Sequence, residues 1–105
     1  MGMMPFAVNH TLANDEAKRR VEVLLDYWKR KYGITSSWNG DAATLSGKAM
    51  GVSVDGSLQL LNGKVDGQAK DPGMLLRGQA QKYLTRKFAE YLDASKTIEQ
   101  LKKED

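Results

Sequence analysis

"SLQLLNGKVDGQAK" (residues 57–70) carries the clearest structural signal in the chain. Two short runs flank Asn62-Gly63, and each alternates polar with small or apolar residues. Leu58 and Leu60 share one side of the first run; Val65, Gly67 and Ala69 share one side of the second. Alternation of period two is the mark of a half-buried strand. Asn-Gly between two such runs supplies the positive φ that a type I′ turn needs at both central positions. The stretch is therefore a hairpin, and the sheet around it is antiparallel. Gly67 and Ala69 present almost no side chain, so a close neighbour is expected over them, most simply a helix.

Working upstream, "GVSVDG" (51–56) places Val52 and Val54 on the face of Leu58 and Leu60. Asp55-Gly56 reads as a bulge inside one long strand, because a turn there would leave strands too thin. "AATLSGKAM" (42–50) is a weaker strand anchored by Leu45. "ITSSWNGD" (34–41) is a strand entering a turn with Asn39 and Gly40 as its central residues.

Before it lies a helix, "TLANDEAKRRVEVLLDYWKRKYG" (11–33). Ala17, Val21, Leu24, Leu25, Trp28 and Tyr32 form one apolar stripe at helical period. Thr11 or Asn14 suits the N-cap, Asp15 and Glu16 favour the positive end of the dipole, and Lys29, Arg30 and Lys31 favour the negative end. Gly33 supplies the left-handed stop. Trp28 and Trp38 read as core anchors, with Trp38 packed beneath Tyr32. "PFAVNH" (5–10) is a first strand with Phe6 and Val8 on one side.

Working downstream, Asp71-Pro72-Gly73 breaks the last strand. Residues 74–105 read as one helix with Leu76, Ala80, Leu84, Phe88, Tyr91, Ser95 and Ile98 on a broad face. Gly78, about 1 kcal/mol worse than Ala in a helix, separates or kinks its first turn. The charged end, about 96–105, is expected to fray. The order is β-α-β-β-β-β-α. The expected fold is α+β: one two-layer domain over 1–105, an antiparallel sheet of four to five strands packed on one face by two amphipathic helices.

Composition agrees. The chain has 105 residues, 41% hydrophobic and 28% charged, which suits one soluble domain with one core. No apolar run approaches the ~20 residues of a membrane helix. "MGMMPFAVNH" lacks a secretory pattern, and "MGMM" fits a residue or two of cloning origin. Met1-Gly2 is no myristoylation start, since residue 6 is Phe rather than Ser or Thr. The absence of cysteine excludes disulfides, thiolate zinc sites and cysteine nucleophiles, and fits a reducing cytoplasm. Without export, the sequon Asn9-His10-Thr11 is chance. A net charge of +3 gives only weak attraction to anionic surfaces.

The chemistry-bearing residues are few. His10 is the only histidine, so no HExxH site exists. It reads as a strand-end residue whose ring hydrogen bonds fix the approach to the first helix. "SWNGD" is not a nucleophile elbow, and "GKAMG" (47–51) is not a P-loop. Asp41, Asp55, Asp66 and Asp71 each adjoin a turn residue and do not match a calcium loop. No catalytic residue, metal or cofactor is assigned, and an enzyme is not expected. Arg77, Lys82, Arg86 and Lys87 form a basic run with no acid between 77 and 87, interleaved with Tyr83 and followed by Phe88 and Tyr91. A solvated helix face explains it better than nucleic acid, whose binding is a distant third reading. Met74, Leu75, Arg77, Tyr83, Phe88 and Tyr91 are the candidate surface or ligand contacts. Their apolar members serve either the core or an external apolar surface.

One ordered set of residues resembles a known family, the polyhydroxyalkanoic acid system proteins of bacteria. The set is His10-Thr11-Leu12, Ala17, Val21, Tyr32-Gly33, Trp38-Asn39-Gly40-Asp41, Gly51-Val52, Gly56-Ser57-Leu58 and Met74-Leu75-Leu76. It spans about residues 5–93. The resemblance implies association with storage-polymer metabolism at polyhydroxyalkanoate granules, with the granule or its proteins as partners. It implies no reaction. The reading that results is a non-enzymatic cytoplasmic accessory protein, attached to the granule surface through its C-terminal helix. The alternative is a binding module for an acyl-chain-like ligand between the sheet and that helix.

Overall fold

A computed structural model of the chain describes residues 3–49 and 51–103, leaving aside the side chains of Ala49 and Val52. The expectations for Met1-Gly2, Met50, the facing of Val52, and Glu104 and Asp105 lie outside the described residues.

Around Asn62-Gly63 the hairpin forms as expected. Strand β4 (Val52–Leu61) returns as β5 (Lys64–Lys70), with Leu61 opposite Lys64. Strand β3 (Ala42–Ala49) pairs along β4 from Ala42↔Gln59 to Ala49↔Val52, and β2 (Thr35–Asn39) pairs with β3. The pairing with β3 runs unbroken through Asp55 and Gly56, and β5 joins from Gly56 onward, so the bulge expected there is absent: one long strand runs straight through. The β2–β3 turn is also shifted by one residue. Asn39 pairs with Ala42, so the connection is Gly40-Asp41, and Gly40 takes the left-handed φ of 64°.

Strand β1 (Met3–Asn9) lies beside β5, which completes an antiparallel sheet in the order β1-β5-β4-β3-β2. Met4, Phe6 and Val8 face inward and are buried. The outer face of the sheet is exposed and mostly polar, with Met3 and Leu61 as exposed apolar residues on it, and the helices cover only the inner one. The two edges differ. Pro5 on β1 has no N–H, and its carbonyl accepts from Gln81 Nε2 at 2.8 Å. No strand lies beyond β2 among the described residues, and β2 carries neither proline nor charge.

Helix α1 (Asn14–Tyr32) buries Ala17, Val21, Leu24, Leu25 and Trp28 as the stripe predicted, and Gly33 closes it with φ 74°. Neither Thr11 nor Asn14 caps it. The N-cap is Ala13, whose carbonyl accepts from the Ala17 N–H, and Asn14 is already helical. Trp38 is not beneath Tyr32. It lies at the other end of α1, with the Lys18 ammonium 5.1 Å over its ring, while Lys18 Nζ also donates to Gly40 O at 2.9 Å.

The last helical segment differs most from expectation. Helix α2 (Met74–Tyr91) passes through Gly78 without a break but ends at Leu92, and a separate α3 spans Ile98–Lys103. Local hydrogen bonding explains the division. Asp93 Oδ1 accepts from the Ser95 N–H and hydroxyl, while Thr97 and Gln100 satisfy each other's backbone N–H in a capping box. The tail does not fray through residue 103, because Leu101 is fully buried against the core. The predicted face is split accordingly: Phe88 and Tyr91 are core, Ser95 is exposed in the turn, and Ile98 begins α3.

Arg20 holds these parts together. It is 4% exposed, and its Nε bonds Glu16 at 2.9 Å. Its Nη1 donates to the carbonyls of Tyr91 and Asp93, and its Nη2 to that of Lys96. One guanidinium on α1 thus takes the Tyr91 carbonyl at the end of α2 and two carbonyls of the turn that follows.

Candidate functional site

Between the inner face of the sheet and the two long helices lies a cavity of about 390 Å³. Its floor follows from strand register. Met4, Ala69, Gly56 and Leu45 stand in one row across β1, β5, β4 and β3. The two central members carry little or no side chain, so the row is a trough. The adjoining row does not stay open: at Gly67 a Cβ would collide with the ring of Phe6, the neighbouring strand's residue. The space over Gly67 is therefore filled by Phe6 rather than by the helix expected there.

Helix α2 keeps the trough open. Its second half packs inward: Phe88 stacks on Phe6 at 5.1 Å and meets Trp28 edge-on at 5.8 Å. Its first half stands clear, and Met74 and Leu75 are each 93% exposed, with Leu76 at 44%. Only the second half of α2 is therefore amphipathic in the expected sense. Leu76, Ala80, Tyr83 and Leu84 form the helical wall; Trp28 and Tyr32 form the wall from α1.

The polar atoms of the wall are largely engaged with one another. Trp28 Nε1 donates to the Tyr83 hydroxyl at 3.2 Å, and Tyr32 lines the cavity beside this pair. Burial pushes the Tyr83 phenol above its ordinary pKa, so it stays neutral near pH 7. Cations lie over the same rings: Arg86 is 5.8 Å from the Tyr83 centroid and Lys31 is 5.7 Å from that of Tyr32. Lys31 Nζ donates to the Tyr27 hydroxyl at 2.9 Å, which holds its pKa above the usual value.

Of the six candidate contacts, Tyr83 and Phe88 line the cavity, and Met74 and Leu75 are bare on the surface beside it. Arg77 pairs with Asp71 at 3.4 Å. Tyr91 is 1% exposed and lies outside the cavity lining, which removes it as a surface or ligand contact; Phe88, equally buried, contacts no external surface. The bulk of these two rings is spent closing the core. The basic run also fails to act as one patch, since Arg77 and Lys87 are each paired with an acid.

The residues of the family pattern sit mostly at the other end of the sheet. His10 Nδ1 accepts from the Leu12 N–H at 3.0 Å, and the His10 N–H donates to Gly63 O. The ring thus fixes the way into α1, as expected. The ring's Nε2 is buried and has no partner among the described residues, and burial lowers the histidine's pKa. Asp41 contributes its carbonyl to Leu60, and Trp38 and Gly40 meet Lys18. Tyr32, Gly56, Ser57, Leu58 and Leu76 of the pattern do reach the cavity, with Gly33 following Tyr32 as the helix stop.

No helix among the described residues is long and apolar enough to cross a membrane. A family model described as "Putative polyhydroxyalkanoic acid system protein" matches residues 5–95, and the chain belongs to that family. No curated protein and no solved structure matches the chain.

Proposed function

We propose that this member of the polyhydroxyalkanoic acid system family is a non-enzymatic, cytoplasmic accessory protein that attaches to storage granules through the start of α2. The observation that carries this reading is the exposure of Met74 and Leu75, consecutive apolar residues at the tip of a helix. Covering such side chains with polyester gains about 1.5–3 kcal/mol each at most. Arg77 and Lys82, one turn and two turns on, stay in water at the rim. The test is co-sedimentation of the purified protein with protein-stripped polyhydroxyalkanoate granules at low and high salt. Salt-resistant binding that is lost in the Met74→Asp/Leu75→Asp double variant is the expected result. No binding to clean granules would overturn direct attachment and point to granule proteins as partners.

A second reading is favoured by the cavity itself. Small-molecule sites commonly occupy about 300–1,000 Å³ and have largely apolar walls. A space of about 390 Å³ between sheet and helix meets that description for a small acyl-chain-like ligand.

A further inference from the structure

We propose that the cavity takes the alkyl chain of an anionic amphiphile, whose head group is held by Lys31 and Arg86. This rests on the ligand reading of the cavity and adds the charge of the ligand.

The chain end of the ligand is argued from the lining. Met4, Leu45, Ala69, Leu76 and Ala80 offer only hydrocarbon or thioether surface, and the polar members of the lining are Ser53, Asp55, Ser57, Gln68, Lys70 and Gln79. Trp28 Nε1 and the Tyr83 hydroxyl are spent on each other. The wall between α1 and α2 therefore presents ring surface to the cavity, with little unspent polarity to anchor a head group inside.

The charge is argued from what surrounds that wall. Tyr32 and Tyr83 come from different helices, and both line the cavity. Each carries a cation over its ring, Lys31 on the first and Arg86 on the second. Some surface cations are paired with acids, Arg19 with Asp15, Arg30 with Asp26, Arg77 with Asp71 and Lys87 with Glu90, while others, among them Lys18, Lys29, Lys70 and Lys82, form no such pair among the described residues. Lys31 and Arg86 have no carboxylate partner among the described residues, and both side chains are exposed. Two uncompensated cations bracketing one wall of an apolar cavity suit a ligand that is apolar at one end and negative at the other. A neutral alcohol of the same length would leave both charges unanswered. Exposed ion pairs contribute about 0.2–1 kcal/mol each. Two of them correspond to about a tenfold preference for the anionic ligand.

A carboxylate and a phosphorylated thiol carrier share this chemistry, and the test separates them. Trp28 lines the cavity and Trp38 does not, so Trp38→Phe leaves one tryptophan as the reporter. The full chain carrying this change is titrated with decanol, decanoate and decanoyl-coenzyme A below their micelle concentrations. The expected result is a change in Trp28 emission with about tenfold tighter binding of at least one anion than of decanol. Decanoate leading identifies a free acid; the thioester leading identifies a carrier-linked acyl group. Lys31→Ala/Arg86→Ala, both at exposed positions, should remove the preference and keep decanol binding. Equal binding of decanol and both anions, or a preference that survives the double variant, overturns the head-group assignment while the cavity reading stands. No binding by any of the three overturns both. Granule co-sedimentation is unaffected by either result.

Discussion

Arg20, seven residues into α1, donates from Nη1 to the carbonyl of Asp93 at 2.8 Å. Seventy-three residues separate them in sequence, and the bond joins α1 to the turn between α2 and α3. Burying a guanidinium is costly unless its donors are used, and here they bond Glu16 and three main-chain carbonyls. Replacing Arg20 with Met keeps most of the volume but removes the bonds to Glu16 and to the Tyr91, Asp93 and Lys96 carbonyls, of which Asp93 O keeps another donor, the Lys96 N–H. Each such loss costs about 1–3 kcal/mol, so Arg20→Met should destabilise by roughly 3 kcal/mol or more. Urea unfolding measures this, and a loss below about 1 kcal/mol would show that water replaces the guanidinium freely.

Leu101 gives a second prediction. A frayed tail would tolerate Leu101→Ala, whereas a docked α3 should lose about 2–5 kcal/mol on truncating a fully buried Leu. Thermal unfolding of the variant, beside Lys103→Ala as an exposed control, separates the two cases.

Gly67 and Phe6 should be coupled. A Cβ at Gly67 meets the Phe6 ring and the Ser57 carbonyl, so Gly67→Ala should cost about 1–3 kcal/mol through overpacking. Part of that cost should vanish in a Phe6→Leu background. A double-mutant cycle with no interaction energy would place the strain on the Ser57 carbonyl alone.

His10 sets a pH dependence. Its folded pKa lies below the ordinary 6.5, chiefly because burial disfavours the charged ring. The unfolded chain therefore takes up the proton first. Stability is full above the unfolded pKa, starts to fall as pH drops past about 6.5, and levels off below the folded pKa. His10→Gln removes the titrating group, so its stability should change less between pH 7.5 and pH 5 than the parent's does. Identical slopes for the two proteins over that window would rule out His10 as the cause.

Much of this fold was legible because its signals are local. Asn62-Gly63 and the period-two runs beside it define a hairpin without help from distant residues. The α1 stripe and Gly33 likewise carry their own instructions. What was not legible is what depends on pairs far apart in the chain. The docking of β1 beside β5 puts Phe6 over Gly67, and nothing in "KVDGQAK" indicates which neighbour fills the gap. Arg20 looked like one of several helix cations; its only local signal was Glu16 four residues earlier. The end of α2 was readable in principle, since Asp93, Ser95 and Thr97 favour turns and caps over helix interiors. The cavity was only half readable. Gly67 and Ala69 announced spare room, but the opening lies one row further along, over Gly56 and Ala69.

The unequal edges of the sheet have a consequence for assembly. A flat sheet with two competent borders can add copies of itself in both directions without limit, which is the route to fibres. Here Pro5 and the Gln81 amide seal one border, while Thr35–Asn39 leaves the other free to bond. A molecule with a single adhesive border can meet one twin and then has nothing left to offer. Any growth through these strands would stop at a pair.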